Sequence, residues 1–159
     1  AAGRECRHTL NYWRFGDYLG IGAGAHGKFT VAAPGRVLRT ARVRQPGRYL
    51  AAAEPAGRLE EARVVPVADL PFEFFLNALR LFDGFAVSEF ESRTGLDWTS
   101  VATRVELAEA KGLMCAAPGG RWAPTPLGWR FLNDLQALFL PDTAKEAGTS
   151  DFQSLASPG

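Results

Sequence analysis

The residues with most chemistry to offer fall at positions 11–28, where aromatics give way to four glycines, a histidine and a lysine. Gly20, Gly22, Gly24 and Gly27 carry no Cβ, so the main chain can take φ > 0 and approach a bound group closely. Arg14 and Asp17 precede the run and Lys28 follows it. With the backbone edge between Ala23 and Gly27, they form a set suited to hydrogen-bonding a polar ligand. The same glycines would also permit a strand to pack tightly under a neighbour. Two nucleotide motifs are nearly spelled and both lack parts. Gly22-Ala-Gly24-Ala-His-Gly27 has dinucleotide-fingerprint spacing, but a strand and Pro34 are expected next, and the next acidic residue is Glu54. A phosphate loop needs Ser or Thr after its lysine as a magnesium ligand, and Phe29 occupies that place.

The chain has two histidines, His8 and His26, and two cysteines, Cys6 and Cys115, with no Cys-x-x-Cys pair. This fits a reducing compartment and excludes a self-contained zinc or iron–sulfur cage. Either histidine alone remains suited to a single axial ligand. No apolar run has membrane-span length and no signal-peptide pattern opens the chain. Its 159 residues suffice for one domain with a buried core, or a small domain plus an appendage. The opening Ala1-Ala-Gly-Arg-Glu-Cys lacks an initiator Met and any element start, so a piece of a longer protein is expected. Charge is uneven: residues 1–68 hold 11 Lys/Arg against 5 Asp/Glu, and residues 69–140 hold 6 against 9. A basic front half is suited to an anionic ligand or to plain solvation.

These residues need elements to hold them. Residues 18–25 alternate β-formers and small residues, which predicts a glycine-rich buried strand running into a turn. Strands on either side of Ala33-Pro-Gly35 predict a hairpin whose second strand puts Arg36, Leu38, Thr40, Arg42 and Arg44 on one face. A short helix is expected over 48–53. From residue 69 the pattern is helical. Asp69 and Pro71 start a helix with a stripe of Phe72, Phe75, Leu76, Leu79 and Phe82; Phe74, Ala78 and Leu81 make it apolar nearly all round, hence central and buried. Ser88 with Glu91 predicts a capping box for a second helix stopped at Gly95. Asp97 caps a third, with Trp98, Val101, Val105 and Ala108 inward and Gly112 at its end. A small hairpin turns at Pro118-Gly-Gly120, and Thr125-Pro126 opens a last helix burying Leu127, Phe131, Leu132, Leu135, Leu138 and Phe139. The tail is expected to be disordered.

Three helices, a hairpin and a further helix is the winged-helix order. The third helix would read DNA, yet Arg104 and Lys111 share its outward positions with Asp97, Glu106 and Glu109. Phosphate contact needs a basic surface, and this module is net acidic. Nucleic-acid binding is therefore not expected, and a structural or partner-docking role is favoured.

Three blocks of sequence carry a resemblance. His8-Thr-Leu-Asn11-Tyr12-Trp13, followed by Phe15-Gly-Asp-Tyr-Leu-Gly-Ile-Gly-Ala-Gly-Ala-His-Gly27, resembles the HemW family of radical S-adenosylmethionine proteins. Residues 70–81 resemble that family's buried helix, and residues 128–135 its C-terminal helix. The resemblance runs in order from about residue 3 to residue 140. The family's cluster cysteines, Cys-x3-Cys-x2-Cys, lie in an N-terminal partial barrel and have no counterpart here.

The resemblance implies an α+β chain: the last strands of a partial radical-SAM barrel, then a mainly helical, winged-helix-like C-terminal domain. The divisions would be a final barrel segment with the glycine-rich strand and hairpin (1–45), a linker (46–68), the helical C-terminal domain (69–140) and the disordered tail (141–159). It implies a heme chaperone that binds heme and delivers it to an acceptor protein, such as a respiratory one. The full-length protein would hold a 4Fe-4S cluster and S-adenosylmethionine, and this chain alone would not be catalytic. The alternative within the family is an oxygen-independent coproporphyrinogen III oxidase of porphyrin biosynthesis; outside it, a winged-helix protein-docking module. The setting implied is cytoplasmic, with membrane association peripheral at most. The family's His-Asn-x-x-Tyr-Trp motif, linked to heme binding, maps onto His8, Tyr12 and Trp13, with Leu10 and Asn11 as its variable pair. His8 is the implied heme-iron ligand, and Tyr12 and Trp13 the implied stacking surface. Thr9 replaces the family Asn, keeping an oxygen but losing the amide donors. Gly22, Gly24, Ala25 and His26 correspond to the backbone that lines the adenosylmethionine pocket.

Overall fold

The computed structural model describes residues 6–31 and 36–141. The tip of the first hairpin and the tail from residue 142, expected to be disordered, lie outside the described residues. The front half pairs a short helix, α1 (Arg7–Trp13), with an antiparallel sheet in the order β1 (His26–Val31), β2 (Arg36–Arg42), β3 (Leu59–Val64). The two strands of the predicted hairpin pair with Phe29 opposite Leu38 and Lys28 opposite Arg39. Helix α2 (Pro46–Ala51) and a 3-10 turn (Pro55–Arg58) join β2 to β3. Residues 46–68, expected as a linker, thus supply the third strand. Every side chain of β3 is exposed, so its Glu60, Glu61 and Arg63 hide the alternation by which a strand is read.

A second correction concerns residues 18–25. They form no strand: Tyr18 makes a lone antiparallel bridge to Lys28, and the chain then bends. Gly22 (φ 102°) and Gly24 (φ 71°) adopt left-handed backbone that a strand cannot use. Leu19 and Ile21, the β-formers that suggested burial, are exposed.

The second half begins at α3 (Leu70–Ala78), which has Pro71 in its first turn, where a missing N–H costs nothing. It is the centre of the core, as expected; Phe75 and Leu79 of the expected stripe are buried, together with Leu70, Phe74 and Ala78. Phe72 and Leu76 are half-buried and Phe82 is exposed. Phe74 meets Phe15, Phe75, Phe85 and Phe90 edge-on at 5.2–5.9 Å. Phe75 stacks on Phe139 at 3.5 Å, so the residues after the last helical stretch close over the same helix. Each such pair adds roughly 0.5–1.5 kcal/mol beyond the area it buries.

Around α3 lie β4 (Phe85–Ala86), α4 (Val87–Thr94), α5 (Thr99–Ala110), β5 (Met114–Ala117) and β6 (Arg121–Pro124), with β6 between β4 and β5. Helix α4 starts one residue before Ser88. Glu89, not Glu91, reaches back to the Ala86 N–H, so the predicted capping box is displaced. Asp97 does accept the Thr99 N–H at the start of α5. Thr125 caps the last helical stretch by accepting from the Gly128 N–H. That stretch breaks at Phe131 into α6 (Pro126–Arg130) and α7 (Leu132–Ala137), leaving Leu127 and Phe131 exposed instead of buried. Two small sheets with helices make the chain α+β. Among the described residues no helix is long and apolar enough to cross a membrane.

Candidate functional site

Helix α1 presents two different faces. His8 and Tyr12, four residues apart, lie one turn from each other, and the Tyr12 ring meets the imidazole edge-on at 4.7 Å. Tyr12 continues onto Tyr18 at 4.1 Å. His8 is exposed at the end of this aromatic row. Leu10 and Trp13 instead pack against the core, so the Tyr12-Trp13 pair is divided between two surfaces. Asn11 is occupied by the chain itself: its amide donates to the Asp17 carbonyl, and its backbone carbonyl accepts from the Gly16 N–H.

The segment that follows the helix is fixed to β1 by a buried cation. Lys28 is 1% exposed, and its ammonium donates to the Phe15 carbonyl (2.8 Å), the Asp17 carboxylate (3.1 Å) and the Thr30 hydroxyl (3.1 Å). It also sits 3.9 Å from the centre of the Phe15 ring. Phe15 itself has φ 53°, the one described non-glycine residue at positive φ, so the Lys28 hydrogen bond to its carbonyl helps hold a costly conformation. Burial pushes the Lys28 ammonium below the usual lysine range, against the pull of Asp17. Burial also presses the Asp17 carboxyl upward, but hydrogen bonds from Thr30 and Lys28 outweigh it and hold Asp17 below its ordinary value. The two directions differ because Lys28 is enclosed while Asp17 is 42% exposed, so desolvation falls on the cation. Asp17 and Lys28, which the sequence offered as ligand contacts, are therefore spent on each other.

The glycine turn is likewise largely satisfied from within. The Gly24 N–H donates to the Val43 carbonyl, the Ala25 N–H to Gly22, and the Ala25 carbonyl accepts from Arg42. The Gly22 N–H donates to the Tyr49 hydroxyl. The expected open edge between Ala23 and Gly27 is thus mostly closed by β2 and the residues after it. His26, at the start of β1, is exposed and lines a polar cleft of about 280 Å3 with Tyr18, Arg39, Glu61, Arg63 and Glu73. Within it Arg39 bonds both Tyr18 and Glu73. Burial raises the Tyr18 phenol above its ordinary value, with the Arg39 charge opposing.

Tyr18 thus links the two parts of the predicted site: its ring meets Tyr12, and it lines the cleft that holds His26. In the sequence its only signal is that it ends the Phe15-Gly-Asp-Tyr18 run that leads into the glycines. Cys6 and Cys115 are both exposed and unpaired, and no three His, Cys, Asp or Glu side chains gather as a metal set among the described residues.

Known proteins align with most of this chain. Residues 65–131 match the HemN C-terminal domain. The chain is 41% identical over 141 residues to the heme chaperone HemW of Haemophilus influenzae, covering 89% of this chain and 35% of that protein. It is 44% identical over 143 residues to the heme chaperone HemW of Escherichia coli, covering 88% and 35%. A shorter match of 87 residues at 31% identity reaches the mitochondrial radical S-adenosyl methionine domain-containing protein 1 of Danio rerio, covering 53% and 20%. The chain spans about a third of the length of the two bacterial relatives. No solved structure matches it significantly.

Proposed function

From the premise that this chain belongs to the HemW family and carries its HemN C-terminal domain, we propose that it is the C-terminal, heme-handling segment of a heme chaperone. It binds heme and passes it to an acceptor protein, such as a respiratory heme protein, without catalysing a reaction itself. The observation that carries the reading is the pose of His8: an exposed imidazole whose ring is braced by Tyr12 and, through it, Tyr18. Neutral imidazole is a common heme-iron ligand, and an aromatic wall offers the macrocycle an apolar surface. Trp13 supports that wall from the core side rather than by facing the porphyrin.

The described residues do not fit an iron–sulfur cluster, since Cys6 precedes α1 and Cys115 lies on β5. In this reading the cluster and S-adenosylmethionine belong to the portion of the longer relatives that this chain does not span. Gly22, Gly24, Ala25 and His26 then lend one wall to the adenosylmethionine pocket, a reading supported by the radical S-adenosyl methionine domain named in the fish relative.

Two architectural readings accompany this one. Phe29, Leu38 and Val64 form a row across one sheet face, with Val64 54% exposed, which supports these strands as the end of a larger radical-SAM barrel. From α3 to β6 the order is helix, strand, two helices and two strands, with β4 against β6, which supports a winged-helix-like module. That module suits protein docking better than nucleic acid: α5 exposes Glu106 and Glu109, and Arg104 donates to the Phe139 carbonyl. We set the activity in the cytoplasm, with any membrane association peripheral.

Titrating heme into the full chain and following the Soret band tests the central claim. His8→Ala should weaken binding, because it removes the proposed axial ligand. Wild-type affinity in the variant would remove His8 from the reading.

A further inference from the structure

Helix α1 has a third surface that the reading above leaves unused. Arg7, Leu10, Asn11 and Arg14 recur at three- and four-residue spacing, so they share one side of the helix. Arg93, from the last turn of α4, faces them across a shallow cleft of about 340 Å3. Three guanidinium groups thus converge with little to neutralise them. Arg14 has Asp83 at 3.9 Å, while Arg7 and Arg93 make no side-chain hydrogen bond or ion pair among the described residues. Arg93 also acts weakly against the Lys28 ammonium, after burial, the pull of Asp17 and the charge of Arg39. The cleft beside His26 differs, because its Arg39 and Arg63 are matched by Glu61 and Glu73.

We propose that Arg7, Arg14 and Arg93 seat the two propionate carboxylates of the porphyrin. This rests on the reading of His8 as the iron ligand. His8 follows Arg7 by one residue, about 100° around the helix, so the cationic side and the imidazole side of α1 adjoin. A heme is a planar ligand with an iron at its centre and both carboxylates on one edge. Iron at His8 and the carboxylate edge over Arg7, Arg14 and Arg93 uses two adjoining surfaces of one short helix. Guanidinium is the side chain whose planar fork matches a carboxylate with two parallel hydrogen bonds. Asn11 lines the same cleft and joins it to Asp17, so the seat is fixed to the segment that Lys28 holds on β1.

The test compares heme with heme dimethyl ester, in which both carboxylates are masked, by Soret titration of the full chain. The wild-type chain should bind heme about tenfold more tightly than the ester. Arg7→Ala with Arg93→Ala should lose about that factor for heme and nothing for the ester. Arg7→Lys with Arg93→Lys, which keeps the charges but not the fork, should lose about threefold for heme. The preference for heme should shrink as salt is raised. Equal affinity of the wild-type chain for both ligands would overturn the propionate seat while leaving heme binding intact. So would an equal loss for both ligands in the alanine variant. Failure of the wild-type chain to bind either ligand would remove the heme reading and this seat together.

Discussion

Replacing Lys28 by Met isolates what the buried ammonium does for this fold. Methionine fills nearly the same volume as the lysine stem, so cavity formation is a minor part of the change. The substitution removes three hydrogen bonds, to Phe15, Asp17 and Thr30, and a cation held 3.9 Å from the Phe15 ring. Asp17 loses little, because it is 42% exposed and keeps the Thr30 N–H and hydroxyl as donors. The Phe15 carbonyl loses more: its residue is 1% exposed, and an orphaned buried acceptor costs about 1–3 kcal/mol. The lost ring contact adds about 0.5–2 kcal/mol. Against these stands relief from desolvating the ammonium, which in a buried pair offsets much of its attraction. The balance is a destabilisation of about 2 kcal/mol, because the strained Phe15 backbone is left without its donor. With an m-value of about 1.5 kcal/mol/M, the urea midpoint of Lys28→Met should fall by about 1.3 M. Asp17→Asn and the double variant complete a cycle whose coupling should exceed about 0.5 kcal/mol. A Lys28→Met midpoint equal to or above wild type would refute the reasoning, since it would mean the buried cation is a net cost.

Three further outcomes follow from the same geometry. A Cβ at Gly20 would stand 2.3 Å from the His26 carbonyl oxygen, so Gly20→Ala should cost about 1–3 kcal/mol in thermal unfolding, an effect absent if the turn can shift freely. Thr125 both donates to the Gly112 carbonyl and caps α6, so Thr125→Ala should lower stability by about 1 kcal/mol in denaturant melts, and a neutral result would remove the cap from the account. Asp17, pressed up by burial but held lower by Thr30 and Lys28, and Asp97, held lower by Thr99, both ionise more readily folded than unfolded. The stability they contribute is full above their ordinary value of 3.8 and is lost as pH falls through the lower folded values. Unfolding titrations should therefore steepen below that pH in wild type and flatten in Asp17→Asn with Asp97→Asn.

The helical half was legible where chemistry leaves punctuation. Pro71, Gly95, Gly112 and Thr125-Pro126 mark ends that geometry enforces, and the α3 region is apolar enough to be central in any orientation. Its face is legible only in part because an all-round apolar helix carries little phase information: Phe75 and Leu79 are buried as the stripe predicts, while Phe74 is the hub and Phe82 lies outside. Leu19 and Ile21 give the glycine run the pattern of a strand, yet positive φ at Gly22 and Gly24 makes a turn, and only the torsions distinguish the two uses of glycine. In β3 the charged residues mask a strand whose partner is β2. As for the site, His8 and Tyr12 could be paired from helical spacing alone. Tyr18, which joins them to the cleft of His26, required knowing that the chain doubles back at Phe15. Lys28 beside a glycine run suggested a ligand contact; its enclosure between Phe15, Asp17 and Thr30 is a tertiary fact with no sequence period.

That enclosure makes amine reactivity a local clock. Among the described residues the lysines are Lys28, sealed at 1% exposure, and Lys111, exposed beyond the end of α5. An acylating reagent should reach the exposed Lys111 directly. Lys28 should react only in molecules where the segment from Phe15 to Asp17 has lifted from β1. The ratio of the two rates, read by mass spectrometry under native conditions, then reports how often that latch opens without the rest of the chain unfolding.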